Sequence, residues 1–160
     1  MSTQFFRSKR FFAIIAIALG ISGVVITASN AGWGTNRSHY RPFDFDQDLW
    51  VVDFRQRYQI AQEQNENWVE DPIAIALRVA GYPNFDNTNP NEIHISYRNS
   101  TQMTAVIRSI KLMDDSVSAK EIRVDLIYQS GRWEIEWAGG RWKCQRELIS
   151  FPGWQTSLCS

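Results

Sequence analysis

Histidine and cysteine are scarce in this 160-residue chain, two of each, and that scarcity removes several kinds of chemistry. A metal cluster or catalytic triad built on His39 and His94 would have to recruit the stretch around His39, which mixes Gly, Asn, Ser and Arg without periodicity. No C-x-x-C spacing is present, so redox-motif and thiol-zinc readings lose their signature. There is no Gly-rich phosphate loop, no G-x-S-x-G elbow and no H-E-x-x-H pair, and neither a cofactor nor a metal is expected. A basic surplus is also missing. The 17 Lys and Arg balance 17 Asp and Glu, and Arg7, Lys9 and Arg10 all precede the first acidic residue, so the rest carries 14 basic against 17 acidic residues, about −3. A nucleic-acid partner calls for the opposite sign, because binding displaces counterions from phosphate. Internal repeats and low-complexity tracts are absent, and the length suits one domain.

What the sequence does contain is one long apolar run, Phe11 to Ala28, eighteen residues without a charge. As a helix it would reach roughly 27 Å, close to the ~30 Å of a bilayer core. The basic flank Arg7, Lys9 and Arg10 stays inside by the positive-inside rule, which puts the remainder of the chain on the far side. The expected organisation is an anchor or signal segment over 1–28, a tether over 29–45 and an extracytoplasmic domain over 46–160. A cleaved signal peptide has the same layout, with Thr27, Ala28, Ser29 and Ala31 as small residues near a processing site, and cleavage would make the domain secreted. The length of the run favours a retained anchor over a signal core. No cysteine directly follows it, so a lipid-modified terminus is not expected.

Cys144 and Cys159 both lie in the part expected to be exported, where disulfides persist. A bridge between them would restrict the unfolded chain by roughly 3 kcal/mol for a loop of about 15 residues, and would pin an aperiodic tail against the end of a strand.

Trp50, Phe54, Tyr58 and Ala61 recur at helical spacing, which predicts a helix from about Asp48 to Gln64 with Asp46 or Asp48 as cap. Asp71-Pro72 opens a second, buried helix, IAIALRVA, and Gly81 with Pro83 closes it. After Pro90 the period drops to two. Ile93, Ile95 and Tyr97 form one alternating set, and Ile122, Val124, Leu126 and Tyr128 another. Between them Met103 to Leu112 has apolar residues of both parities, as a central strand would, before Asp114-Asp115-Ser116 breaks it. Gln129-Ser130-Gly131 makes a hairpin turn into Trp133, Ile135 and Trp137, and Gly139-Gly140 permits a bulge before the strand resumes at Arg141. Helices first and strands afterwards predict an α+β fold: an N-terminal transmembrane or signal helix, then two helices packed on an antiparallel meander of about four strands.

The stretches WVEDPIAIALRVAGY, DDSVSAKEIRVDL and GRWEIEWAGGRWKCQ, with a second cysteine near the end, resemble a group of small bacterial envelope proteins of unknown function. The likeness covers about Trp68 to Cys159, and its most specific part is the W-x-C-Q run. It implies an export segment and a compact α+β domain ending in a disulfide loop. The group usually carries a Gly- and Arg-rich stretch after the first cysteine, whereas Gln145 here is followed by RELISFPGW. Element order alone is also similar to nuclear transport factor 2-like and cystatin-like folds.

Candidate site residues are few. His94 on a polar strand face reads as a surface histidine, and Asp114, Asp115 and Ser116 read as a turn rather than a Ca²⁺ loop. Glu134 and Glu136, two apart on one strand, are the only candidates for a carboxylate pair. A bulge at Gly139-Gly140 would bring Trp133, Trp137 and Trp142 to one sheet face, either beneath the helices or lining an apolar pocket, with Arg132, Arg141 and Lys143 at its rim. Trp154, beside Pro152 and Gly153 on the cysteine loop, is expected to be exposed, to suit a partner or the membrane interface, and to be removable with little loss of stability. The expected function is a membrane-tethered extracytoplasmic binding module, held to the membrane through residues 11–28, for an envelope protein or a small apolar ligand. The alternatives are a small hydrolase or isomerase using Glu134 or Glu136, and a structural or assembly factor of an envelope complex.

Overall fold

Period-two alternation in the second half of the chain builds a sheet, and helical periodicity before it supplies the cover. The fold is that of a computed structural model, which describes residues 25–28, 36–83, 89–112, 116–145 and 153–159. The elements are β1 (Val25–Ala28), a 3₁₀ turn at Arg37–His39, β2 (Arg41–Pro42), α1 (Leu49–Glu63), a 3₁₀ turn at Asn67–Glu70, α2 (Pro72–Val79), β3 (Glu92–Asn99), β4 (Gln102–Ile110), β5 (Val117–Gln129) and β6 (Arg132–Cys144). The sheet order is β1-β3-β4-β5-β6-β2. Strands β2 to β6 are antiparallel, and β1 runs parallel to β3 at the edge. The α+β class with two helices is as expected, but the antiparallel set has five members rather than about four.

Helix boundaries follow the local chemistry. Asp71 caps α2 by accepting from the Ile73 amide at 2.9 Å, Pro72 sets the first turn, and Gly81 leaves it at φ +87°. Asp48 sits at the N-cap of α1, yet its carboxylate accepts from Asp44 N and Arg41 Nη2 at 2.8 Å each and ties the incoming chain instead. Ser130 and Gly131, both at positive φ, make the tight β5–β6 turn.

Register fixes two faces of opposite character. Ile93, Ile107, Ile122 and Gly140 lie opposite one another across β3 to β6, and so do Ile95, Ala105, Val124 and Ala138. On this face α1 contributes Val51 and Phe54, and α2 contributes Ile75, Ala76 and Val79, all buried in one core. Each large aliphatic side chain so buried is worth about 1.5–3 kcal/mol. Only one side of α2 is fully inside, since Ile73 and Leu77 remain half-buried. The other face begins with Glu92, Arg108, Glu121 and Arg141 in the same row-by-row register.

Two expectations need correction, the extent of the tether and the place of the β6 bulge. The tether over 29–45 is, from Asn36 onward, part of the domain: Tyr40 and Phe43 are 3 % and 7 % exposed, and β2 pairs with Gly139 and Gly140. Apolar rings and an unmatched strand edge supply the reason. Of the run 11–28, residues 11–24 lie outside the described residues, and the last four are strand rather than helix. Among the described residues no helix is long and apolar enough to cross a membrane. The bulge in β6 is not at the glycines. Asp125 pairs with Trp137 and Leu126 with Ile135, which makes Glu136 the extra residue.

The glycine pair serves close approach instead. A methyl at Gly139 would stand 2.6 Å from the Arg41 carbonyl oxygen and 2.5 Å from the Trp137 ring, and one at Gly140 would meet Phe43 at 2.9 Å. Gly139→Ala is therefore expected to lower stability by about 1–3 kcal/mol, because a backbone oxygen cannot swing aside. A urea unfolding midpoint checks it, with Gly153→Ala, where the methyl meets nothing within 4 Å, as the silent control.

Candidate functional site

Polar alternation on the second face produces a ladder of charge. Arg108 on β4 donates to Glu92 of β3 at 2.8 Å and to Glu121 of β5 at 2.7 Å, and Arg141 of β6 donates to Glu121 at 2.6 Å. The Tyr40 hydroxyl donates to the same Glu121 carboxylate at 2.6 Å, so a carboxylate only 1 % exposed is fully engaged. Trp154 roofs the row. Its ring lies 5.7 Å from the Arg108 guanidinium, 5.0 Å from that of Arg141 and 5.1 Å from the Lys143 ammonium, within cation–π reach.

The roof is held by the tail. Cys144 and Cys159 are bonded, with Cα atoms 5.4 Å apart and a sequence separation of 15. Gln155 and Trp142 exchange backbone hydrogen bonds at 2.9 Å each, a one-residue antiparallel bridge. The expected staple is thus present and pins the tail to β6. Trp154 is half-buried on the sheet rather than projecting from the loop, and Arg141 is committed to Glu121 rather than free at a rim.

Four residues further along the strands, about 13 Å at ~3.3 Å per residue, the face opens into a cleft. The cleft has a volume of about 570 Å³ and is lined by Arg37, Ser96, Arg98, Gln102, Thr104, Arg123, Asp125 and Glu136 among others. Asp125, 4 % exposed, is its anchor: it accepts from Thr104 Oγ1 at 2.8 Å, Arg123 Nε at 2.9 Å and Arg37 Nε at 2.7 Å. Arg37 also reaches Glu136 at 2.5 Å. Burial opposes the Arg37 charge, but hydrogen bonds to these two carboxylates outweigh it and raise the guanidinium's pKa.

Two irregularities converge on this cleft. In β3 the partner sequence runs from Tyr97 opposite Met103 to Asn99 opposite Gln102, which leaves Arg98 as an extra residue. In β6 the extra residue is Glu136. Bulges re-aim side chains and gather at functional sites, and here both bulged residues line one cleft.

The β6 bulge also decides the tryptophans. Trp133 stands opposite Tyr128 and Trp142 opposite Lys120, both on the helix-covered face, while Trp137 opposite Asp125 falls on the charged face. The expected row of three is therefore split: Trp142 belongs to the core, Trp133 packs against it, and Trp137 meets Tyr40 edge-on at 6.2 Å with Arg37 at 5.4 Å. Shifting the alternation after Trp133 rather than after Trp137 is the cause.

Glu134 and Glu136 do not form a pair. Glu134 is bonded by Gln129 at 2.5 Å and Arg132 at 2.9 Å, and both hold its pKa down, opposite to what a general acid needs. It lines a separate hollow of about 420 Å³ beneath α1, with Phe45, Phe54 and Tyr58. His94 is half-buried beside Glu92 at 3.4 Å, and Asp114 and Asp115 lie outside the described residues. Among the described residues no three His, Cys, Asp or Glu side chains gather as metal ligands would. Periodicity and spacing do not single out Arg98, Arg37 or Asp125: Arg98 and Asp125 show only as charge inside alternating segments, and Arg37 lies in a stretch with no period at all. No family model matches this chain, and neither a curated protein nor a solved structure matches it.

Glu121→Ala is expected to cost about 3–5 kcal/mol, because it leaves Arg108 and Arg141 on a covered face without their carboxylate; the urea midpoint reads this. Trp154→Ala is expected to cost about 1 kcal/mol or more through its three cations. An unchanged melting curve for that variant would return Trp154 to the role of a free contact residue.

Proposed function

We propose that this chain is a membrane-tethered, extracytoplasmic binding module that holds its ligand in the cleft between Arg98 and Glu136. The convergence of two strand bulges on one cleft carries the reading, since bulges re-aim side chains and are over-represented beside active sites. The Cys144–Cys159 bond favours an oxidising compartment. The apolar run with its basic flank favours export with the domain outside. A hydrolase or isomerase built on Glu134 and Glu136 has less support, because the two carboxylates line different hollows.

Tethering has a physical corollary. If Val25–Ala28 pairs with β3, only fourteen residues of the run remain for a helix, roughly 21 Å, well short of a ~30 Å core. Insertion of the whole run therefore withdraws β1 from the sheet edge. In native membranes the full-length chain is expected to resist carbonate extraction and to be digested only from the extracytoplasmic side. Hydrogen exchange at the outer amides of β3 is expected to be faster in the membrane-inserted protein than in the same chain kept out of a bilayer. A chain found dissolved in the cytoplasm with both thiols reduced would overturn the proposal.

A further inference from the structure

Resting on the cleft reading above, we infer that the ligand presents a carboxylate to Arg98. Three cations and two carboxylates line the cleft, Arg37, Arg98 and Arg123 against Asp125 and Glu136. Arg37 binds both carboxylates and Arg123 binds Asp125 twice, at 2.9 and 3.2 Å. Arg98 makes no ion pair with any described residue and is exposed. The cleft thus has one positive charge in excess, and the bulge that carries it sets it at the β3 rim.

The neutral groups beside it point the same way. Ser96 on β3 and Gln102 on β4 flank Arg98, and the Gln102 carbonyl already accepts from Asn99 at 3.1 Å, which leaves its amide hydrogens to donate. Arg98, Gln102 and the Ser96 hydroxyl make a donor-rich rim suited to an acceptor-rich ligand. Magnitude and sign then choose the anion. A carboxylate matches the single excess charge and the planar fork of a guanidinium. A dianionic phosphate would bring a second charge toward Asp125 and Glu136. From Arg98 on β3 to Glu136 on β6 there are three strand spacings, about 14 Å at ~4.8 Å each, so the cleft admits either a small monocarboxylate or the last few residues of a peptide.

The full chain in detergent is titrated with butyrate, with a tripeptide bearing a free C-terminal carboxylate, with the same tripeptide as its C-terminal amide, and with inorganic phosphate. Butyrate or the free tripeptide is expected to bind, and which of the two binds more tightly distinguishes a small metabolite from a peptide end. Arg98→Gln is expected to weaken that binding at least tenfold without moving the melting temperature, since the side chain is exposed. Arg98→Lys is expected to recover part of the loss. If the amide or phosphate binds as well as the carboxylate, with Arg98→Gln indifferent, the carboxylate inference falls while the cleft reading survives. If no probe binds, the inference falls; if material captured from native membranes is also unchanged by Thr104→Trp, which fills the cleft, the cleft reading falls with it.

Discussion

Glu121 sits in the middle of the sheet with its carboxylate bonded by Arg108, Arg141 and Tyr40, and the second face of the molecule depends on that set of contacts. Removing a carboxylate from water costs several kcal/mol unless charged and hydrogen-bonding partners replace the lost solvation. The partners come from β4, from β6 and from the segment before β2. A buried charge thereby ties an otherwise loose stretch of chain to the sheet. The same requirement recruits the tail, because Arg108 and Arg141 carry the ring of Trp154, and the disulfide limits how far that ring can move away.

A sheet with an apolar face under helices and an ionic face under two peripheral segments divides the work of specificity. The apolar face supplies most of the free energy through Ile75, Ile93, Ile107 and Leu126. The ionic face fixes register: sliding one strand by a single residue would set Arg108 and Glu121 against the core and bring isoleucines to the ladder. The pairs Glu92–Arg108–Glu121–Arg141 alternate in sign across four strands, so strand order is specified by charge as well as by shape.

Much of this was legible in the chain. The alternation of Ile93 and Ile95, of Ile122, Val124 and Leu126, the Asp71-Pro72 start and the Ser130-Gly131 turn each rest on periodicity or backbone preference that survives without tertiary context, and each lies where expected. The disulfide was legible as the only pair available. The bulges were not. Inserting one residue into a strand leaves no mark in composition, and Gly139-Gly140 offered a more conspicuous but mistaken place for it. That single displacement sent Trp137 to the wrong face and paired Glu134 with Glu136. The tether failed for a related reason, since Tyr40 and Phe43 are isolated apolar residues whose partners lie some eighty to one hundred positions away.

The separation between the ladder and the cleft, about 13 Å along the strands, bears on why ligand recognition belongs at one end of the face and not the other. At the ladder end Glu92, Arg108, Glu121 and Arg141 answer one another and a ring closes the surface, so an anion approaching those arginines would have to break an ion pair whose desolvation has already been met. At the cleft end the ladder is interrupted at Arg98 and at Glu136, and both extra residues line the cleft. Asp125 holds Arg37 and Arg123 in place by short contacts, which removes two flexible cations from competition and leaves the bulged arginine as the group with unspent binding capacity. Rigid neighbours around one uncommitted charge lower the entropy that a ligand must surrender on binding. The stapled end, with its charge ladder under the Trp154 ring, is the scaffold on which that arrangement rests.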